Sequence, residues 1–165
     1  MSSDADADRR WLAAAIELSR LAPPTPTNYA VGAIIVGPAG EVLATGHTGE
    51  IGARVHAEEA AIAKLAGRPG LDLARATVYS SLEPCTARKS QPGTCTDLIL
   101  AAGLRRVVIA LREPLIFVDC QGVEVLRGHG VEVVEIGALA PLVREVNAHV
   151  LGLRAPTASA EADVS

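Results

Sequence analysis

Residues 76–111 read ATVYSSLEPCTARKSQPGTCTDLILAAGLRRVVIAL and contain two apolar, β-branched runs on either side of one helix-forming segment. We interpret ATVYS (Ala76–Ser80) and RRVVIAL (Arg105–Leu111) as strands, and CTDLILAA, which begins at Cys95, as a helix. A strand, a helix and a second strand in that order form a crossover between parallel strands. This segment therefore predicts an α/β fold.

The same alternation of elements continues on both sides of this segment. Upstream, Asp8 can cap a helix that ends before Pro23, and a hairpin of two short strands follows it. The two strands of the hairpin are predicted at 30–36 and 42–47, and a fifth strand is predicted at 131–136. Further helices are predicted at 56–66, 119–128 and 139–151. Together they predict a three-layer α/β/α sandwich with a mixed five-stranded sheet, in which the hairpin is antiparallel.

The composition indicates one compact, acidic domain. Of 165 residues, 49% are hydrophobic and 21% charged, and 15 Lys and Arg against 19 Asp and Glu give a net charge of -4. That charge and an aromatic content of 2% disfavour a nucleic-acid partner. We expect a domain over residues 8–153 between disordered tails at 1–7 and 154–165.

We expect neither a membrane-spanning helix nor an export signal in this sequence. No apolar run approaches the roughly 20 residues that a membrane-spanning helix needs. The N-terminus, MSSDADADRR, is acidic, whereas a signal peptide begins with a positively charged region. We therefore expect a cytoplasmic protein without a membrane partner.

A histidine, two cysteines and a glutamate form a candidate metal site. One imidazole, from His56, and two thiolates, from Cys85 and Cys95, suit a tetrahedral Zn²⁺ whose fourth position stays open for catalysis. At the start of a helix, Cys95 is expected to favour its thiolate form. Glu58, two residues after His56, could take a proton from water in the open position and pass it to a leaving group.

The same residues have simpler explanations. His56 could be a surface histidine, and the two cysteines could be core residues or form a disulfide, although a reducing cytoplasm disfavours the latter. Glu58 could merely supply negative charge to the first turn of a helix. On a regular helix it would point away from His56 by about 200°, so only a helix end would bring it to the metal.

His56-Ala57-Glu58, followed by Pro84-Cys85 and Cys95, resembles the motif of zinc deaminases of the cytidine deaminase-like superfamily. Nine residues separate the two cysteines where that motif has two, and this spacing is similar to the deaminase domain of the bifunctional riboflavin biosynthesis protein. The chain also resembles that family at residues 27–33, 82–85, 101–108 and 122–133. The chain departs from the family pattern at Tyr29, at Thr86-Ala87 and at residues 91–94.

This resemblance implies a zinc-dependent hydrolytic deaminase of an amino-substituted pyrimidine, with the riboflavin-pathway diaminopyrimidine ribosylamino phosphate as its substrate. It implies a homo-oligomer, dimer or tetramer, and substrate contacts at Asn28 and Ala57. Arg88 and Lys89, in the loop between the cysteines, could capture the phosphate or be solvated surface charges. The alternatives are a deaminase of another nucleoside, nucleotide, nucleobase or specialised metabolite, a tRNA or DNA base deaminase, and an inactive zinc-binding scaffold.

Overall fold

The computed structural model describes residues 4–86, 94–112 and 121–151. The strands are β1 (Gly32–Val36), β2 (Val42–His47), β3 (Thr77–Leu82), β4 (Arg106–Leu111) and β5 (Glu132–Glu135). The helices are α1 (Asp4–Ser19), α2 (Ala57–Ala63), α3 (Cys95–Ala101), α4 (Gly122–Gly128), α5 (Ala140–Val146) and α6 (Ala148–Leu151), and single 3₁₀ turns lie at Leu73–Arg75 and Gly137–Leu139.

The five strands form one mixed sheet in the order β2-β1-β3-β4-β5. β1 pairs antiparallel with β2 and with β3, whereas β3, β4 and β5 run parallel. Helices α1 and α5 contact each other and the strands β1, β3 and β4, while α2, α3 and α4 form a second contiguous set that contacts β1, β2 and β5. The predicted three-layer sandwich with a mixed five-stranded sheet is confirmed.

None of the helices within the described ranges is long and apolar enough to cross a bilayer.

Two glycines allow helices to approach the sheet closely. A Cβ at Gly32 would lie 1.9 Å from the carbonyl oxygen of Ala15 in α1. A Cβ at Gly46 would lie 2.2 Å from the carbonyl oxygen of Ala57 and 2.8 Å from the amide nitrogen of Ala61, both in α2. Because these atoms belong to the helix backbone, only a shift of the helix could make room. Gly46 therefore sets how close the beginning of α2 lies to β2.

Replacing Gly46 by alanine is expected to destabilise the protein and to weaken metal binding at the beginning of α2. The added methyl group overpacks a helix–sheet contact, which costs about 1–3 kcal/mol of unfolding free energy. Urea unfolding and zinc titration measure the two effects. Gly128→Ala is the matched control, since a Cβ there meets no atom within 4 Å. Equal behaviour of the two variants would contradict the role assigned to Gly46.

The start of α1 differs from the prediction. The helix begins at Asp4, so residues 4–7 are helical, and the predicted tail over 1–7 is wrong for them. Asp8 does not cap the helix; it lies inside α1, and its carboxylate is buried. That carboxylate accepts hydrogen bonds from Tyr79 Oη at 2.7 Å and from both terminal guanidinium nitrogens of Arg106 at 2.8 and 2.7 Å. A tertiary ion pair, rather than helix capping, explains the aspartate.

These contacts alter the pKa values of the groups involved. Burial by itself would raise the pKa of Asp8, but hydrogen bonds from Arg106 and Tyr79 outweigh it and hold the pKa below its ordinary value. Burial and the hydrogen bond to Asp8 raise the pKa of Tyr79 well above its ordinary value. The three side chains therefore tie α1 to β3 and β4 with Asp8 ionised.

Asp8→Asn is expected to lower the free energy of unfolding by about 1–3 kcal/mol at neutral pH, because it removes charge-assisted hydrogen bonds from a buried group. The folded-state pKa of Asp8 lies below the unfolded value of about 3.9, so its contribution is present above that pH and is lost as the pH falls through the folded-state pKa. The difference between Asp8→Asn and the unaltered protein, measured by urea unfolding, should therefore shrink in acid. Glu17→Gln, in an exposed pair with Arg20, should change stability by less than about 1 kcal/mol.

Two further boundaries are set by hydrogen bonds from distant side chains. The predicted last helix is interrupted at Asn147, whose buried amide accepts from Ala30 N at 2.7 Å and donates to Ala30 O at 3.1 Å. β1 begins at Gly32 rather than Ala30, because Val31 N donates to Thr48 Oγ1 at 2.9 Å. The predicted boundary at 153 and the tail at 154–165 lie outside the described residues.

Candidate metal centre

Three separate elements bring His56, Cys85 and Cys95 together. His56 precedes α2 as its N-cap, Cys85 lies three residues after β3, and Cys95 is the first residue of α3. Nδ1 of His56 lies 3.3 Å from Sγ of Cys95 and 3.6 Å from Sγ of Cys85, and the possible ligand atoms all lie within 4.8 Å of one another. Nitrogen and sulfur ligands of a tetrahedral Zn²⁺ lie about 3.5 Å apart, so the two nitrogen–sulfur distances are close to those of a zinc site.

Backbone and hydroxyl groups at the start of α3 hold the two cysteines. The amide of Cys95 donates to Sγ of Cys85 at 3.3 Å. Both the amide and the hydroxyl of Thr96 donate to the carbonyl oxygen of Cys85, at 3.2 and 3.0 Å. Thr94 caps α3 by accepting from the amide of Asp97 at 3.2 Å, and its own amide donates to Asp97 Oδ2 at 3.3 Å. The start of α3 therefore fixes Cys85 as well as Cys95.

The donor set fits zinc by its chemistry. It consists of one imidazole nitrogen and two sulfur atoms, which are the ligands zinc prefers. In the described part of the chain, the group of His, Cys, Asp and Glu residues that could hold a metal contains these three and no fourth member. A three-ligand set leaves one coordination position for water or substrate, which is the pattern of catalytic sites.

The two thiols have opposite pKa shifts. A hydrogen bond from the Cys95 thiol, with smaller contributions from His56 and the Cys95 amide, lowers the pKa of Cys85 to about 4 despite its burial. The pKa of Cys95 is raised by its hydrogen bond to Cys85, by its burial and by the nearby Glu58. The expectation that Cys95 favours the thiolate is therefore wrong for the protein without metal, because a buried thiol between two negative groups keeps its proton.

Zinc affinity is expected to rise with pH because the metal must displace the proton from Cys95. One proton released per zinc increases the affinity by about tenfold per pH unit. Calorimetry at pH 7 and pH 8, repeated in two buffers of different ionisation enthalpy, measures both the affinity and the number of protons released. An affinity that does not change with pH, with no proton release, would contradict the assignment of that proton.

Glu58 lies at the same pocket on the second position of α2. Its side chain is buried, with Oε1 2.5 Å from the hydroxyl of Ser80, and its charge contributes to the raised pKa of the Cys95 thiol. His56 has an extended backbone, φ -75° and ψ 162°, so the two residues are not related by regular helix geometry. The helix end brings Glu58 to the metal pocket, as the sequence interpretation required.

Sequence reasoning missed Ser80. It lies in the middle of TVYSSL, the sequence of β3, and is fully buried. The available signal was a serine at the end of the predicted strand ATVYS, because a hydroxyl buried in a sheet needs a hydrogen-bond partner.

The residues predicted to bind the substrate lie in different parts of the structure. Asn28 is exposed before β1, and its backbone amide donates to Thr25 Oγ1 at 3.0 Å. Ala57 is fully buried, so the group it could offer a ligand is its backbone amide at the first position of α2. Arg88 and Lys89 lie outside the described residues. The buried ring of Tyr29, a departure from the family pattern, packs in the hydrophobic core.

Residues 5–111 match the model of the cytidine and deoxycytidylate deaminase zinc-binding region. The chain belongs to this zinc-binding deaminase family. The matched range contains the candidate ligands and Glu58, and the resemblance expected from the motif is confirmed.

Relatives within this deaminase family come from riboflavin biosynthesis. The diaminohydroxyphosphoribosylamino-pyrimidine deaminase of Schizosaccharomyces pombe is 38% identical over 126 residues, 76% of this chain and 31% of that protein. The riboflavin biosynthesis protein RibD of Aquifex aeolicus is 35% identical over 141 residues, 85% of this chain and 37% of that protein. The chain therefore spans about a third of the length of these relatives.

A solved structure supports the same fold. The diaminohydroxyphosphoribosylaminopyrimidine deaminase/5-amino-6-(5-phosphoribosylamino)uracil reductase of Thermotoga maritima superposes with a TM-score of 0.72 at 35% sequence identity. The superposition covers 90% of this chain and 42% of that chain. The structural likeness thus extends across the deaminase-like sheet and its helices.

Proposed function

We propose that this chain is a zinc-dependent hydrolytic deaminase, and that its substrate is the riboflavin-pathway diaminopyrimidine ribosylamino phosphate. The observation that carries the proposal is a buried carboxylate, Glu58, close to three possible ligand atoms that lie within 4.8 Å of one another. Family membership supports the reaction type, and the Schizosaccharomyces pombe relative supports the substrate class.

His56, Cys85 and Cys95 are the proposed zinc ligands. When bound, zinc acts as a Lewis acid that makes water nucleophilic at neutral pH. Glu58 is the proposed proton carrier, which accepts a proton from the attacking water and delivers it to the departing amino group. The ring carbon gains an oxygen and loses its amino group as ammonia, so the products are a carbonyl and ammonia.

Substrate binding is proposed for Asn28 and for the amide of Ala57. The exposure of Asn28 supports this role. For Ala57, the support is its position between His56 and Glu58. Arg88 and Lys89 are the proposed phosphate contacts, since guanidinium and ammonium groups bind phosphate well.

We further propose that the protein is a cytoplasmic homo-oligomer, a dimer or a tetramer. Two thiolate ligands are better preserved in a reducing compartment, which supports the cytoplasm. β2 is an edge strand and carries the exposed Val42, and an edge strand can pair with a second chain, which supports an interface on that side of the sheet. Sedimentation of the zinc-loaded protein measures the oligomeric state.

Ammonia release from the zinc-loaded protein tests the proposed reaction. The panel contains the diaminopyrimidine ribosylamino phosphate, its dephosphorylated form, cytidine, deoxycytidine phosphate, cytosine, guanine and adenosine. Turnover confined to the first compound is the expected result. Turnover of another compound would retain the chemistry and reject the substrate, and inactivity on every compound with zinc bound would reject the proposal.

A further inference from the structure

A buried hydroxyl lies behind the proposed proton carrier. Ser80 is fully buried in β3 and shares a sheet face with Val78 and Leu82, because side chains alternate along a strand. Its hydroxyl oxygen lies 2.5 Å from Oε1 of Glu58 and 2.8 Å from the carbonyl oxygen of Leu82. The hydroxyl thus joins the sheet directly to the carboxylate on α2.

The hydrogen bond from Ser80 restrains the Glu58 carboxylate. Glutamate has several rotatable bonds, so ordering its carboxylate costs conformational free energy. The hydrogen bond from Ser80 to Oε1 restricts that freedom before a substrate arrives. Because β3 is a central strand, paired on both sides, its serine is a rigid anchor.

The Ser80 hydroxyl can remain bonded during a proton transfer. It has one proton and two neighbouring acceptors, so it donates to only one of them at a time. When Glu58 is ionised, Ser80 can donate to Oε1. When Glu58 carries the transferred proton on Oε2, Oε1 remains an acceptor, so Ser80 can still donate to it. Neither arrangement leaves the buried hydroxyl without a partner.

We propose that Ser80 is a positioning residue that holds the Glu58 carboxylate at the metal pocket in the orientation required for proton transfer. This inference rests on the proposed function. It assigns Ser80 no contact with the metal or the substrate, so its removal should affect turnover more than substrate binding or zinc content.

The test compares Ser80→Ala with Ser81→Ala. Ser81 is a suitable control because it is also fully buried in β3 but lies on the opposite face of the sheet from Ser80, where its hydroxyl accepts a hydrogen bond from the amide of Gly32. Zinc content, thermal unfolding, and kcat and KM on the compound that the unaltered protein turns over are measured for both variants. Ser80→Thr, which retains the hydroxyl, is the rescue variant.

For Ser80→Ala we expect about one zinc per chain, a KM within about twofold, and a kcat about 10- to 100-fold lower, a smaller loss than that expected for the proton carrier itself. Ser81→Ala should keep its kcat, and Ser80→Thr should recover most of the loss. An unchanged kcat in a folded, zinc-loaded Ser80→Ala protein would overturn the inference, as would an equal loss in Ser81→Ala.

Crystal structures of the zinc-loaded unaltered protein and of Ser80→Ala supply a readout that does not depend on turnover. We expect the Glu58 carboxylate to leave the position it occupies beside Ser80 only in the variant. An unmoved carboxylate would overturn the positioning role. Inactivity of the unaltered protein on the whole panel would instead reject the proposed function, and the two structures would still decide the role of Ser80.

If Ser80→Ala fails to fold, Ser80→Cys takes its place. Its side chain is similar in size, and its thiol is a weak hydrogen-bond donor. We expect the same loss of kcat with unchanged zinc content, and a kcat equal to that of the unaltered protein would overturn the inference.

Discussion

Glu58→Gln is expected to lower kcat by about 10²- to 10⁴-fold, which is the usual contribution of a positioned general acid–base group. Glutamine has nearly the same size and can still hydrogen-bond to Ser80, but it cannot accept a proton from water at neutral pH. Zinc content should stay near one per chain, since Glu58 is not among the three candidate ligands. Ammonia release and metal analysis on the same preparation measure both quantities.

Glu59→Gln is the matched control for this substitution. Glu59 is the next residue on α2, and its carboxylate accepts from the His56 amide at 3.3 Å in a capping box that glutamine also forms. The control should retain kcat within about twofold, because Gln is accepted at that position of the motif. Full activity of Glu58→Gln would reject the role of Glu58 as the proton carrier.

Cys85→Ala is expected to abolish stable zinc binding and all turnover. Loss of an outer-shell partner typically lowers metal affinity by about 10- to 100-fold, so removal of a direct ligand should cost more. The substitution also removes the acceptor of the Cys95 amide, at 3.3 Å, so it leaves a buried donor without this partner. Zinc titration against a chelator measures the affinity.

Cys120→Ala is the control for the loss of a thiol. Cys120 lies outside the described residues, and the sequence motif assigns it no ligand role. This variant should bind about one zinc per chain and retain turnover. A Cys85→Ala protein that binds zinc as tightly as the unaltered protein would reject Cys85 as a ligand.

Local patterns in the sequence were sufficient for the order of the secondary-structure elements. Alternating β-branched and helix-forming runs predicted each of the five strands, and Val42–His47 has the predicted bounds. Helix α3 also begins at Cys95, as predicted. These features depend on the periodicity of side chains over fewer than ten residues, which a single sequence displays directly.

The candidate ligands could be identified because their residue types are chemically rare in combination. One histidine and two cysteines around an H-x-E and P-C pattern have few roles other than zinc binding. The pattern alone could not show which thiol keeps its proton. That depends on the burial of Cys95 and on its two neighbours, Cys85 and Glu58, which the fold brings together.

The sequence by itself determined the α/β alternation and the residue types of the metal site. Tertiary structure alone decided that Asp8 pairs with Arg106, that Asn147 interrupts the last helix to bind Ala30, and that Ser80 meets Glu58. The partners in these contacts are 98, 117 and 22 residues apart. Their buried polar groups find partners only after the helices pack on the sheet, because burial makes an unpaired polar group costly.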